Sequence, residues 1–153
     1  LSGDLKNLLA STLMGGKDDD WGYAIAPDAS GKVYVAGSTW SSDFPNTVGA
    51  YSGIYKVGAS DSFLAKLNGD LRSLSASALI GGIGDDYGYS IALYGNGEAY
   101  VGGSTWSHDF PTTVGAYDRT FSGGGDAFVV RADAYLLTDS CTPGDPEGDR
   151  GHP

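Results

Sequence analysis

Gly15-Gly16-Lys17-Asp18-Asp19-Asp20-Trp21-Gly22-Tyr23 returns later in the chain as Gly81-Gly82-Ile83-Gly84-Asp85-Asp86-Tyr87-Gly88-Tyr89. Self-similarity at a fixed spacing decides the fold, because it marks architectures built by stacking one supersecondary unit. The match extends outward. Gly37-Ser38-Thr39-Trp40-Ser41 returns as Gly103-Ser104-Thr105-Trp106-Ser107, and Asp43-Phe44-Pro45 as Asp109-Phe110-Pro111. Thr47-Val48-Gly49-Ala50-Tyr51 returns as Thr113-Val114-Gly115-Ala116-Tyr117. Trp106 follows Trp40 by 66 positions, as in every pair above. Past Tyr51 the spacing falls to 65, as in Asp61 and Asp126, so the second copy lacks one loop residue.

The repeat divides the chain into two units of about 66 residues, 5–70 and 71–136. Leu1-Ser2-Gly3-Asp4 matches Leu67-Asn68-Gly69-Asp70, so 1–4 reads as the end of a preceding unit. Tyr135-Leu136 matches Asp70-Leu71, but no third unit follows. Residues 137–153 are rich in Gly, Pro and Asp and read as a tail or linker.

Each unit reads as four short strands. Gly22–Ala26 and Gly88–Ala92 come first, then the hairpin turns Asp28-Ala29-Ser30-Gly31 and Tyr94-Gly95-Asn96-Gly97. Val33–Gly37 and Ala99–Gly103 are the β-branched and aromatic return strands. Long loops, Ser38–Ser60 and Ser104–Gly125, lead to third strands at Asp61–Leu67 and Asp126–Arg131. Asn68-Gly69-Asp70 makes a turn, and Leu71–Ile80 alternates apolar and small polar residues as a fourth strand. Leu5–Leu13 is expected to be a strand by likeness to Leu71–Leu79. A helical reading fails, since no window keeps a 3.6-residue stripe for three turns and glycine recurs throughout.

Four antiparallel strands at a fixed period predict an all-β fold of β-propeller blades. The units also resemble the SBBP family of bacterial β-propeller repeats. The resemblance lies in Gly-Gly-x-x-Asp-Asp-aromatic-Gly-Tyr, in Val33-Tyr34-Val35-Ala36-Gly37, in the Ser-Asp-Phe-Pro-Thr-x-x-Gly-Ala-Tyr loop and in Gly125-Asp126-Ala127-Phe128-Val129. It covers residues 1 to about 136. It implies a propeller in an exported, periplasmic or cell-surface bacterial protein, and no single activity. Propellers use four to eight blades, so two units leave a ring open. A longer chain would complete it, or oligomerisation, such as three two-blade chains in a heterologous ring. Leu1 is not an initiator Met and no signal peptide is present, which favours a piece of a longer chain.

Composition narrows the function classes. The chain has 153 residues, 41% apolar, with 9 basic and 19 acidic side chains and a net charge of −10. That balance argues against a nucleic-acid binder, which needs a basic face. No apolar run reaches the length of a membrane-spanning helix. The single Cys141 excludes an internal disulfide framework and a CxxC metal motif; it could pair between chains, but a lone thiol in such a tail is usually incidental.

Two constellations are candidate sites, and topology puts both on one face of a blade, where the long loops meet the blade-to-blade links. Trp40 with Asp43, and Trp106 with Asp109, would suit a glycan: the ring stacks on sugar C–H surface and the carboxylate accepts hydroxyls. The competing role is structural, with Trp and Phe44 or Phe110 pinning the loop and Pro45 or Pro111 stiffening it. Asp18, Asp19 and Asp20, with Asp85 and Asp86, offer hard oxygen ligands suited to Ca²⁺. The commoner role of such Asp residues is to cap turns. No catalytic set assembles: His108 has Ser42 as its counterpart, and no nucleophile elbow or zinc motif is present. The expectation is therefore a noncatalytic scaffold or protein-interaction module without a cofactor, partnered by other blades and by a surface protein. A glycan-binding, calcium-stabilised propeller is the alternative.

Overall fold

The computed structural model describes residues 6–47, 51, 55, 59–95 and 97–133. Residues 1–4, Asn96, Tyr135, Leu136, Cys141 and the 137–153 tail lie outside the described residues. Within them the chain is all-β, with no helix. The strands are β1 (Asp20–Pro27), β2 (Val33–Thr39), β3 (Asp61–Leu67), β4 (Leu74–Ile80), β5 (Asp86–Tyr94), β6 (Glu98–Thr105) and β7 (Asp126–Ala132). They form two antiparallel sheets ordered β1-β2-β3-β4 and β5-β6-β7. These are successive propeller blades, and they do not close a ring.

The first strand of each blade is longer than its apolar run. The β1–β2 ladder continues from Asp20↔Thr39 to Pro27↔Val33, and β5–β6 from Asp86↔Thr105 to Tyr94↔Glu98. Pro27 is tolerated because β1 is an edge strand. The β1–β2 turn closes on Gly31 at φ 82°, with Asp28 Oδ1 accepting the Ser30 and Lys32 N–H groups, each at 2.9 Å. In the 68–71 turn the left-handed residue is Leu71, at φ 57°.

Leu5–Leu13 departs from expectation. Among the described residues, 6–13 belong to no strand, and Leu8, Leu9 and Leu13 are exposed. The counterpart, β4, is a strand because it pairs along β3, from Ser62↔Ile80 to Leu67↔Leu74. Residues 6–13 have no such ladder beside them among the described residues. Alternation alone does not hold a strand without a partner for its N–H and C=O groups.

Two apolar clusters form the core. Phe44, Phe63, Ala65 and Leu79, with Met14, Val35, Tyr55 and Leu74, fill one side of the first blade. Tyr34, Ala36, Leu64 and Ile80 of the first blade meet Ala99, Val101 and Phe128 of the second. The second cluster is the seam between blades, so the two sheets share part of their core.

Candidate functional site: a repeated loop clasp and an aromatic surface

The Gly-Gly turn and the long loop are tied together in both repeats by equivalent bonds to Asp20 or Asp86 Oδ2, to Ser41 or Ser107 and to Asp43 or Asp109. In the first, Asp20 Oδ2 accepts the Gly16 N–H at 2.7 Å and the Ser41 hydroxyl at 2.9 Å. Thr39 Oγ1 donates to Asp20 Oδ1 and accepts the Ser41 N–H at 2.9 Å. Ser41 Oγ accepts the Asp18 N–H at 2.9 Å, and Asp43 Oδ1 accepts the Lys17 N–H at 3.0 Å. In the second, Asp86 Oδ2 accepts Gly82 N–H and Ser107 Oγ–H, both at 2.7 Å. Ser107 Oγ accepts the Gly84 N–H at 2.9 Å, and Asp109 Oδ1 accepts the Ile83 N–H at 2.8 Å.

The predicted carboxylates therefore have separate positions. Asp20 and Asp86 point into the clasp, and Asp43 and Asp109 seal its outer edge. Asp85 leaves its own clasp and reaches back to the preceding blade, where its Oδ1 accepts the Ser60 N–H at 3.0 Å. Asp18 and Asp19 are exposed. Among the described residues, no group of three or more His, Cys, Asp or Glu side chains is placed to hold a metal ion. Asp43→Ala should lower stability by about 1 kcal/mol, the worth of one hydrogen bond to a charged acceptor on an exposed loop. A denaturant midpoint equal to that of the wild type would show that the bond contributes nothing.

The loop is pinned by phenylalanine. The Phe44 ring lies 4.6 Å from that of Phe63, and Phe110 lies 4.7 Å from Phe128. The tryptophans face elsewhere. Trp40 packs on Trp21 at 5.2 Å and across the seam on Tyr87 at 5.9 Å. Trp106 packs on Tyr87 at 5.7 Å. Tyr87 lies parallel to Tyr89 at 5.8 Å, Tyr89 meets Tyr23 at 5.3 Å, and Tyr23 returns to Trp21 at 6.2 Å. Six aromatic rings thus form one continuous surface across both blades. Trp21, Tyr23, Tyr89 and Trp106 are exposed.

A β-bulge in each blade builds this surface. Gly22 pairs with Gly37 and Ala24 with Ala36, so Tyr23 is the extra residue; Tyr89 is extra between Gly88↔Gly103 and Ser90↔Gly102. A bulge re-aims the side chain it carries, and here it brings the two tyrosines into ring contact. Burial, with the neighbouring Tyr89 and Tyr87, raises the Tyr23 phenol above its ordinary value, so it stays a neutral hydrogen-bond donor. Sequence reasoning singled out Trp40 and Trp106 but missed Trp21, Tyr23, Tyr87 and Tyr89. The available signal was the aromatic-Gly-Tyr triplet recurring at the start of the first strand in both copies. A separate cleft of about 170 Å³ lies between Met14, Pro45, Leu67, Leu71 and Leu74; its lining brings no acid or imidazole together.

Antiparallel sheets of four and three strands in sequential order, with a seam between the repeated sheets, define the class: these are β-propeller blades. More particularly, residues 11–45 and 77–111 match the family model of the SBBP beta-propeller repeat, and the chain carries two copies of it. No curated protein matches the chain. No helix among the described residues is long and apolar enough to cross a membrane.

Proposed function

We propose that this chain is a noncatalytic scaffold and protein-interaction module of an exported, cell-surface bacterial protein, contributing two blades to a propeller whose remaining blades come from a longer chain or from other copies. One observation carries the reading. The carboxylates of Asp20, Asp43, Asp86 and Asp109 and the hydroxyls of Ser41 and Ser107 are occupied in holding the loops, and what the two repeats present outward together is the six-ring surface of Trp and Tyr. Such rings give large contact area with polar tips, the composition favoured at interaction surfaces. A glycan is the second reading, favoured by the exposed Trp106 ring.

Cross-linking on intact bacterial cells and a glycan array, each run with wild type, Tyr23→Ala/Tyr89→Ala and Trp40→Ala/Trp106→Ala, separate the two. Cross-links to one surface protein that the tyrosine variant loses support the scaffold. Glycan signals that the tryptophan variant loses support the lectin. Binding unchanged in both variants would overturn the aromatic surface as the site. Turnover by the purified chain, abolished by a single carboxylate change, would overturn the noncatalytic reading. A chelator should leave the melting temperature unchanged, since a cation at Asp20 or at Asp86 Oδ2 would have to displace N–H and O–H donors already in place.

A further inference from the structure

The six-ring surface has an electrostatic character unlike that of the chain as a whole. The chain carries a net charge of −10, yet β1 from Trp21 to Pro27 and β5 from Tyr87 to Tyr94 bear no charged side chain. Lys66, which lies over the Tyr34 ring at 4.9 Å, belongs to the buried core and not to this surface. Trp40, Tyr87, Tyr23 and Tyr89 meet at the seam, with a blade on each side. Tyr23 and Tyr89 are 39% and 48% exposed there.

The polar tips of the rings select one kind of partner. The indole N–H groups of Trp21, Trp40 and Trp106 can only donate, and the hydroxyls of Tyr23, Tyr87 and Tyr89 bring further donors. Among the described residues none of these six groups is engaged in a hydrogen bond. A complementary partner is therefore apolar, uncharged, rich in acceptors and poor in donors. A proline-rich segment has that chemistry: proline carries no N–H, and the polyproline II helix makes no internal hydrogen bonds, so its carbonyls stay available. A glycan matches less well, because its hydroxyls also seek acceptors. Asp20, Asp43, Asp86 and Asp109, which flank the rings in sequence, accept from the clasp instead.

The spacing agrees. Along the row Trp21, Trp40, Tyr87 and Trp106, successive ring centroids stand 5.2, 5.9 and 5.7 Å apart. Two residues of polyproline II rise about 6 Å, so the row matches a segment of about seven residues.

We infer that the six-ring surface binds a proline-rich, uncharged segment of a partner protein in the polyproline II conformation. The rings stack on the pyrrolidines while the indole and phenol groups donate to the segment's carbonyls. Such a segment is already extended when free, so little ordering opposes binding. This rests on the interaction-module reading and names the partner's chemistry.

Calorimetric titration of the full chain with decaproline, and with a Gly-Ser peptide of equal length, tests this. The wild type should bind decaproline saturably and leave the Gly-Ser peptide unbound. Trp40→Ala/Trp106→Ala and Tyr23→Ala/Tyr89→Ala should each weaken binding about tenfold or more, with unchanged circular dichroism. Tyr89→Phe keeps the ring and removes one donor, so it should weaken binding about threefold even if an alanine variant fails to fold. Neither side is charged, so affinity should hold as salt rises from about 0.05 to about 0.5 M. A wild type that binds decaproline no better than the Gly-Ser peptide would overturn the proline-rich partner. The interaction reading would still stand on a cell-surface cross-link that the tyrosine variant loses. Decaproline binding that the ring variants leave unchanged, or that salt abolishes, would overturn this surface as its site.

Discussion

Gly37→Val should abolish cooperative folding. Gly37 lies mid-strand in β2, paired with Gly22 on one side and Phe63 on the other. The bulge at Tyr23 brings the Trp21 carbonyl oxygen to 2.0 Å from where a Cβ on Gly37 would stand, and the Phe63 ring to 2.7 Å. Neither can withdraw. The carbonyl belongs to backbone at the bulge, and Phe63 is buried under Phe44. Two added methyl groups on top of that Cβ put the cost at about 4 kcal/mol or more, within the upper range of single-substitution effects. A domain stabilised by about 5–15 kcal/mol loses a large share of its margin. Gly103→Val should behave alike, since Tyr87 O and Phe128 stand 1.9 and 2.6 Å from its Cβ position. Gly31→Ala is the control: the space is open, and only the positive φ is unfavourable, at about 1 kcal/mol. Thermal melts followed by circular dichroism read all three. A Gly37→Val chain that melts like the wild type would refute the close approach of β1 to β2.

Asp86→Ala should cost about 2–4 kcal/mol, because it leaves the Gly82 N–H and the Ser107 hydroxyl buried without their acceptor. The residue also stitches the blades: its N–H donates to Ser60 O at 2.7 Å, and its carbonyl takes Ser38 Oγ. Asp86→Asn keeps an oxygen for the two donors and removes the titration. Burial raises the Asp86 pKa above the usual 3.8, while its hydrogen bonds pull partway back and Asp109 adds to the rise. The folded state therefore holds the proton more tightly than the unfolded state. The associated stability is complete below the ordinary carboxylate value and is lost as pH rises through the raised one. Asp28 works in the opposite sense. The Ser30 hydroxyl bound to it lowers its pKa, so its contribution is lost as pH falls. Subtracting the Asp86→Asn curve from the wild type isolates Asp86. The difference should shift in favour of the wild type as pH falls toward 3.8. A flat difference, or one of opposite slope, would show that Asp86 does not titrate as its burial requires.

Much of the fold was legible in the residues. The third strand, Asp61–Leu67, has the predicted bounds, because its apolar run ends at the turn residues Asn68-Gly69. The long loop was legible in part. Phe44 and Phe110 pin it as expected, whereas Trp40 and Trp106 turn toward the first strands. Both roles are open to an aromatic beside a turn, and only the distances to Phe63, Trp21 and Tyr87 separate them. The bulges at Tyr23 and Tyr89 were not legible. A bulge is a property of two paired strands, and neither strand declares its partner's register.

The sequence by itself determined the all-β class, the 66-residue period and the hairpin turns. Side-chain alternation and turn chemistry act over a few residues, so each copy states them independently. Only the tertiary structure decided which of two equivalent residues is buried. Leu64 and Val129 occupy the same place in the same motif, yet one lies in the seam and the other faces outward. Burial depends on what stands alongside, and a repeat read along the chain does not show its neighbour in space.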